Sequence, residues 1–181
     1  EDGERLTRVE LLSLAATMYS AGHRTTRDAF ANGMAVLLAG DGGRYRSLVR
    51  GCDSPAAVAA ELLRVATPTL YVVRVAAEAT EVGGVELVPG DLVIVYLGAA
   101  NRDPIAYPDP DEVRPGREGP PVLSFAYGAH YCLGASLARA ELEVLLVTVS
   151  RAWPSLHLAE GPVFHQRGPF RGVDRLLVAA G

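Results

Sequence analysis

Between residues 6 and 38 apolar side chains return every three or four positions: Leu11, Leu12, Leu14, Ala15 and Met18, then Phe30, Met34, Leu37 and Leu38. That period predicts one long helix with an apolar face, stopped by Gly40 and the pair Gly42-Gly43. Residues 41–50 predict a short linking helix, basic and solvated. A further helix is expected to open with Ser54 as N-cap and Pro55 at its first position, and to run through Val58, Leu62 and Leu63 to Val65. From 69 to 95 the helical period disappears. The β-rich runs 70–73, 80–82, 85–87 and 92–95, with turns at Gly83-Gly84 and Pro89-Gly90, predict a small antiparallel sheet. Pro104, Pro108, Pro110, Pro115, Pro120 and Pro121 predict irregular but ordered chain. Leu133, Leu137, Ala138, Leu142, Leu145 and Leu146 restore a helix up to Trp153-Pro154, and 156–158 and 176–178 read as closing strands. The fold class expected is mainly α with a small antiparallel β-sheet (α+β), as a single domain over residues 1–181.

Two places interrupt this pattern. Ala21, Gly22, His23, Arg24, Thr25 and Thr26 put poor helix formers in mid-helix, where a glycine costs about 1 kcal/mol relative to alanine and a threonine can bond back to an earlier carbonyl. Taken alone, this is a notch for helix packing. The second place is Cys132, read at the N-terminus of the last helix, where free backbone N–H groups and the dipole favour a thiolate, the form that binds metals. Gly128 and Gly134 remove side chains where backbone passes close to a bulky flat ligand or where helix packs on loop, and Phe125 can shield the sulfur from water.

Composition narrows the function. A net charge of -4 gives no basic field for nucleic acid. Residues are 49% hydrophobic, yet no apolar run reaches the ~18 that would suggest a membrane span. Cys52 and Cys132 make no disulfide framework, which fits a reduced, cytoplasmic setting, and Cys52 reads as incidental in its loop. Opening on Glu1 rather than Met, with no signal peptide, suggests a processed, cloned or truncated product.

The spacing Phe125-x-x-Gly128-x-x-x-Cys132-x-Gly134 resembles the haem-binding signature of the cytochrome P-450 haem-thiolate monooxygenases. The resemblance implies haem b with Cys132 as iron ligand, Phe125, Gly128 and Gly134 around it, and Arg74 and His130 on the haem propionates. The stretch from Ala21 to Thr26 resembles the family's central oxygen-binding helix. There Ala21 and Gly22 would face the oxygen pocket and Thr25 would help deliver protons. Arg24 stands where the family has an acid, and a cation cannot pass protons near neutral pH. Peroxide-using relatives carry an arginine in this region but lack the threonine.

Glu61 and Arg64 are similar to the family's Glu-x-x-Arg pair, with Arg117 as its third member and Arg114 as backup. Ala100 to Pro104 resembles the family's AxNRDP segment, and Phe170 falls at a strand tip that would line the substrate pocket. The implied function is hydroxylation or epoxidation of a small organic molecule in bacterial secondary metabolism, with O2 and two electrons from a ferredoxin or flavodoxin-type donor. A peroxide-driven haem enzyme and a truncated, non-catalytic accessory protein are the alternatives. The resemblance covers only the C-terminal half of the P-450 fold. The missing N-terminal half or another chain would be a partner, docking on apolar surface expected to be exposed.

Overall fold

Thr7 starts the first helix with a reciprocal cap. Its hydroxyl accepts the Glu10 amide at 3.3 Å, while the Glu10 carboxylate accepts the Thr7 amide at 2.8 Å. In the computed structural model, which describes residues 5–51 and 53–181, this helix is α1, Arg8–Leu38. The expectations placed on Glu1 and Cys52 lie outside the described residues. Gly22 does not break α1, whose 31 residues make it about 46 Å long. Its two halves live in different surroundings. Asn32, Gly33, Met34, Leu37 and Leu38 are buried, whereas Val9 and Tyr19 are 73% and 72% exposed, and Leu11, Leu12, Leu14 and Met18 are exposed with them.

Helix α2, Gly43–Val49, corrects the expectation of a solvated linker. Tyr45 and Leu48 are buried, and the Tyr45 hydroxyl sits 3.2 Å from the carbonyl of Val149 and 2.7 Å from that of Trp153. Helix α3, Pro55–Val65, has Pro55 in its first turn as expected, but the Ser54 side chain makes no capping bond. Gly33 lets α1 approach α3, since a Cβ there would meet Leu62 at 3.0 Å. Leu62 and Leu63 of α3, Met34 and Leu38 of α1 and Leu142 and Leu146 of the last helix, α5 (Ala135–Ala152), form the centre of the core. Burying each such leucine is worth about 1.5–3 kcal/mol.

Among the described residues the β-structure is four two-stranded ladders, and the sheet expected over 69–95 is two of them. Strand β1, Val72–Val75, pairs antiparallel with β4, Leu92–Val95, setting Arg74 opposite Val93. Within that loop β2, Thr80–Val82, pairs with β3, Val85–Leu87, around the glycine turn. A one-turn helix α4, Leu97–Ala100, leads into the proline-rich segment. After helix α5, Ala135–Ala152, strands β5, His157–Leu158, and β8, Val178–Ala179, close on each other. Between them lies a hairpin that the sequence pattern did not announce: β6, Val163–Arg167, and β7, Phe170–Arg175, turning at Gly168. It rests on α1 through Gly172, where a Cβ would stand 2.5 Å from His165 and 2.6 Å from Asp28.

Among the described residues no helix is long and apolar enough to cross a membrane.

Candidate functional site

The loop carrying Cys132 is closed by its own backbone. Leu123–Phe125 forms a 3-10 turn, Ala126 and Gly128 take φ of 59° and 81°, and Gly128–His130 forms a second turn. The Cys132 amide then donates to the Phe125 carbonyl at 3.0 Å. The left-handed conformation at position 128 is one that glycine adopts without strain. Helix α5 begins at Ala135 with Gly134 as N-cap, and the Ala135 amide donates to the Cys132 carbonyl at 3.2 Å. Cys132 therefore stands just ahead of the helix and not within its first turn, as a free, exposed thiol. A Cβ on Gly134 would lie 4.0 Å from its sulfur, so glycine leaves the flank of the thiol open. Phe125 is 8% exposed, with the Arg139 guanidinium 4.6 Å from its ring centre. Arg139 is two helical turns beyond Cys132, and no expectation was placed on it.

Asn101, expected only as part of the AxNRDP-like segment, has a bracing role the sequence did not indicate. It is fully buried; its Oδ1 accepts the Leu123 amide at 2.7 Å and its Nδ2 donates to the Ser124 hydroxyl at 2.8 Å. That hydroxyl in turn donates to the Leu63 carbonyl at 2.6 Å. One side chain thus ties the end of α4 to the turn bearing Phe125 and, through Ser124, to α3. The sequence signals for it are the AxNRDP-like match and its place at the start of a turn-rich segment.

Glu61, Arg64 and Arg117 come together beside Asn101 and the proline-rich segment. Arg64, 1% exposed, donates from Nε and Nη2 to the two Glu61 oxygens at 2.9 and 2.8 Å. Its remaining N–H groups reach the carbonyls of Asn101, Pro110 and Glu112 at 2.9, 2.8 and 3.0 Å, so all five guanidinium donors are used. The Arg117 side chain donates to Glu61 at 3.2 Å. Arg114 contributes its backbone amide at 3.0 Å, while its side chain turns outward to Asp109 and Glu112.

Burial alone would raise the Glu61 pKa, but the hydrogen bonds from Arg64, the Arg114 amide and Arg117 outweigh it and hold the carboxyl below its ordinary 4.5. Stability from this group is therefore complete above pH 4.5 and is lost as pH falls through the lower folded value. Acid titration of unfolding should show wild-type protein losing stability in that window and Glu61→Gln losing less. Equal slopes would rule out Glu61 as the titrating group.

On α1 the Thr25 hydroxyl donates to the Ala21 carbonyl, Gly22 has open space where a Cβ would point, and the helix remains continuous. No hydrogen bond among the described residues joins this notch to the cysteine loop. Arg24 turns toward the β6–β7 hairpin, with its guanidinium 5.2 Å from the Phe170 ring centre. Arg74 on β1 donates to the neighbouring Val73 carbonyl at 3.0 Å, and His130 is exposed beside Cys132. Among the described residues neither Arg74 nor His130 meets a carboxylate.

The family model for Cytochrome P-450 matches residues 56–153. The Biotin biosynthesis cytochrome P-450 of Bacillus subtilis (strain 168) is 37% identical over 160 residues, covering 87% of this chain and 40% of that protein. The Vitamin D(3) 25-hydroxylase of Pseudonocardia autotrophica is 34% identical over 185 residues, covering 100% of this chain and 46% of its own length. Among solved structures, P-450 BioI in complex with hexadec-9Z-enoic acid ligated acyl carrier protein superposes with a TM-score of 0.93 at 35% identity, over 99% of this chain and 47% of that one. The chain thus spans less than half the length of these relatives.

Proposed function

Because this chain belongs to the cytochrome P-450 family, we propose that it is the haem-bearing C-terminal part of a monooxygenase acting on a small organic molecule. The observation that carries this reading is the Cys132 thiol, exposed at the head of α5 in a loop closed by its own backbone. The residues present fit haem b. A soft sulfur donor stands clear of packed hydrocarbon, glycine leaves its flank open, and the Arg74 guanidinium and the exposed His130 ring are N–H donors available to propionates. Cys132 would ligate the iron, with Phe125, Gly128 and Gly134 shaping the loop around the sulfur.

When bound, the haem supplies dioxygen activation and oxygen insertion, which a thiolate ligand favours. The chain orients that chemistry. Phe125 would keep water from one side of the sulfur, and the Glu61–Arg64–Arg117 cluster would steady the loop through Asn101, whose carbonyl accepts from Arg64 and whose side chain holds Leu123 and Ser124. Ala21 and Gly22 leave room on α1, and Thr25 offers a hydroxyl beside it. Electrons would come from a ferredoxin or flavodoxin-type protein. An N-terminal half, or another chain, would cover the bare part of α1 and complete the substrate roof. The relative solved with an acyl-loaded carrier protein makes carrier-bound acyl chains one substrate class to screen, alongside free products of secondary metabolism.

The test is spectroscopic. The chain loaded with haem, reduced and exposed to carbon monoxide, should show the strongly red-shifted Soret band of a thiolate-ligated complex. A band typical of histidine ligation, or no haem uptake, would overturn the assignment of Cys132. A second reading, a peroxide-driven haem enzyme, draws support from Arg24, whose cationic side chain cannot serve as a proton carrier next to Thr25. Turnover with peroxide and none with reduced electron donor would favour it.

A further inference from the structure

Arg24 is occupied on three sides, and none of its partners is Thr25. Its Nε lies 3.5 Å from Asp28 Oδ2, its Nη2 lies 3.4 Å from His165 Nε2, and its Cζ stands 5.2 Å from the Phe170 ring centre. Asp28 is one turn further along α1, with its side chain only 1% exposed, and it also accepts both Nε and Nη2 of Arg27, at 3.0 and 2.7 Å. His165 and Phe170 sit on β6 and β7, on either side of the Gly168 turn. The close approach of helix and hairpin is possible because position 172 carries no Cβ, which would overlap both Asp28 and His165.

We infer that Arg24 is a positioning residue: it latches the β6–β7 hairpin to α1 and sets Phe170 against the helix beside Thr25, with no part in moving protons. A guanidinium has five donors and no acceptor, so its contact with His165 requires a lone pair on Nε2. The imidazole then carries its proton on Nδ1, which is buried without a hydrogen-bond partner and lies 3.8 Å from Asp174 Oδ1. Arg24 thereby selects the His165 tautomer. Its flat face covers Phe170 while its edge serves Asp28, a combination that a lysine ammonium cannot reproduce. The tip is also held from its other side, by the Leu70 amide donating to the Pro169 carbonyl at 2.7 Å and the Arg171 amide to the Pro68 carbonyl at 2.8 Å, so Arg24 governs the face of the hairpin turned toward α1. The latch is independent of the haem reading, since none of its members belongs to the cysteine loop.

Two measurements on the chain as it stands test this. Nitrogen-15 spectra of His165 should show the Nδ1–H tautomer in wild type and its loss in Arg24→Met. Amide exchange over 164–172 should accelerate about tenfold in Arg24→Met, in Arg24→Lys and in Phe170→Leu, while the amides of α3 and α5 keep their protection. Phe170→Leu leaves Asp28 with both of its arginines, so it decides the matter if the Arg24 variants fail to fold. An unchanged His165 tautomer, hairpin exchange equal to wild type, restoration by Arg24→Lys, or loosening spread evenly over α3 and α5 would each overturn the latch.

Discussion

Replacing Arg64 by methionine should cost about 3–5 kcal/mol of stability, enough to leave much of the chain unfolded at room temperature. Methionine fills most of the space but supplies no donor. Glu61, itself buried, would lose both of its bonds from Arg64. The carbonyls of Asn101, Pro110 and Glu112 would lose theirs as well, and those bonds help to join α3 to the proline-rich segment. Breaking one side of a buried ion pair is far more damaging than never having made it, because the remaining charge keeps its desolvation penalty. Arg64→Lys should recover little, since three donors on one nitrogen cannot span Glu61 and three carbonyls. Urea unfolding followed by circular dichroism measures the loss, and a change under about 1 kcal/mol would show the cluster to be ornamental.

Cys132→Ser should do the reverse. The thiol is exposed, and the loop around it is closed by the main-chain bond to Phe125, which serine keeps. Stability should therefore stay within about 0.5 kcal/mol of wild type, while the thiolate signature of the haem-loaded, carbon monoxide-treated protein disappears entirely. A serine variant that unfolds as readily as Arg64→Met would make Cys132 a packing residue and remove the basis of the proposed function. The pair of variants separates what holds the loop from what the loop presents.

How much of this was legible beforehand differs from element to element. Helices α1, α3 and α5 announced themselves because each presents an apolar stripe at helical spacing. The Glu61–Arg64 pair was legible from its spacing of three, and the cysteine loop from its glycines. Helix α2 was misjudged because Arg44, Arg46 and Arg50 dominate its composition, whereas direction matters: Tyr45 and Leu48 point into the core. The sheet expected over 69–95 became two separate ladders, β1–β4 and β2–β3, because strand runs are a local property, while the choice of partner is not; the expected closing strands did pair, as β5 with β8. Hairpin β6–β7 escaped for a related reason. Phe164, His165, Gln166 and Arg167 hold no β-branched residue, and their order depends on Gly172 meeting Asp28 across the chain. Asn101 was invisible as a brace because its partners Leu123 and Ser124 lie on another segment.

The uneven surroundings of α1 have one more consequence. From Asp28 onward the helix is anchored by α2, α3, α5 and the hairpin; before Gly22 it relies on the Thr7–Glu10 cap and its own propensity. An uncovered helical stretch of some 12–15 residues is only marginally stable in water. Warming therefore acts on the two ends differently: the leading turns fray in gradual steps, while the anchored end melts cooperatively with the core. Gly22, where the helix is already weakest, is the natural border between those two behaviours.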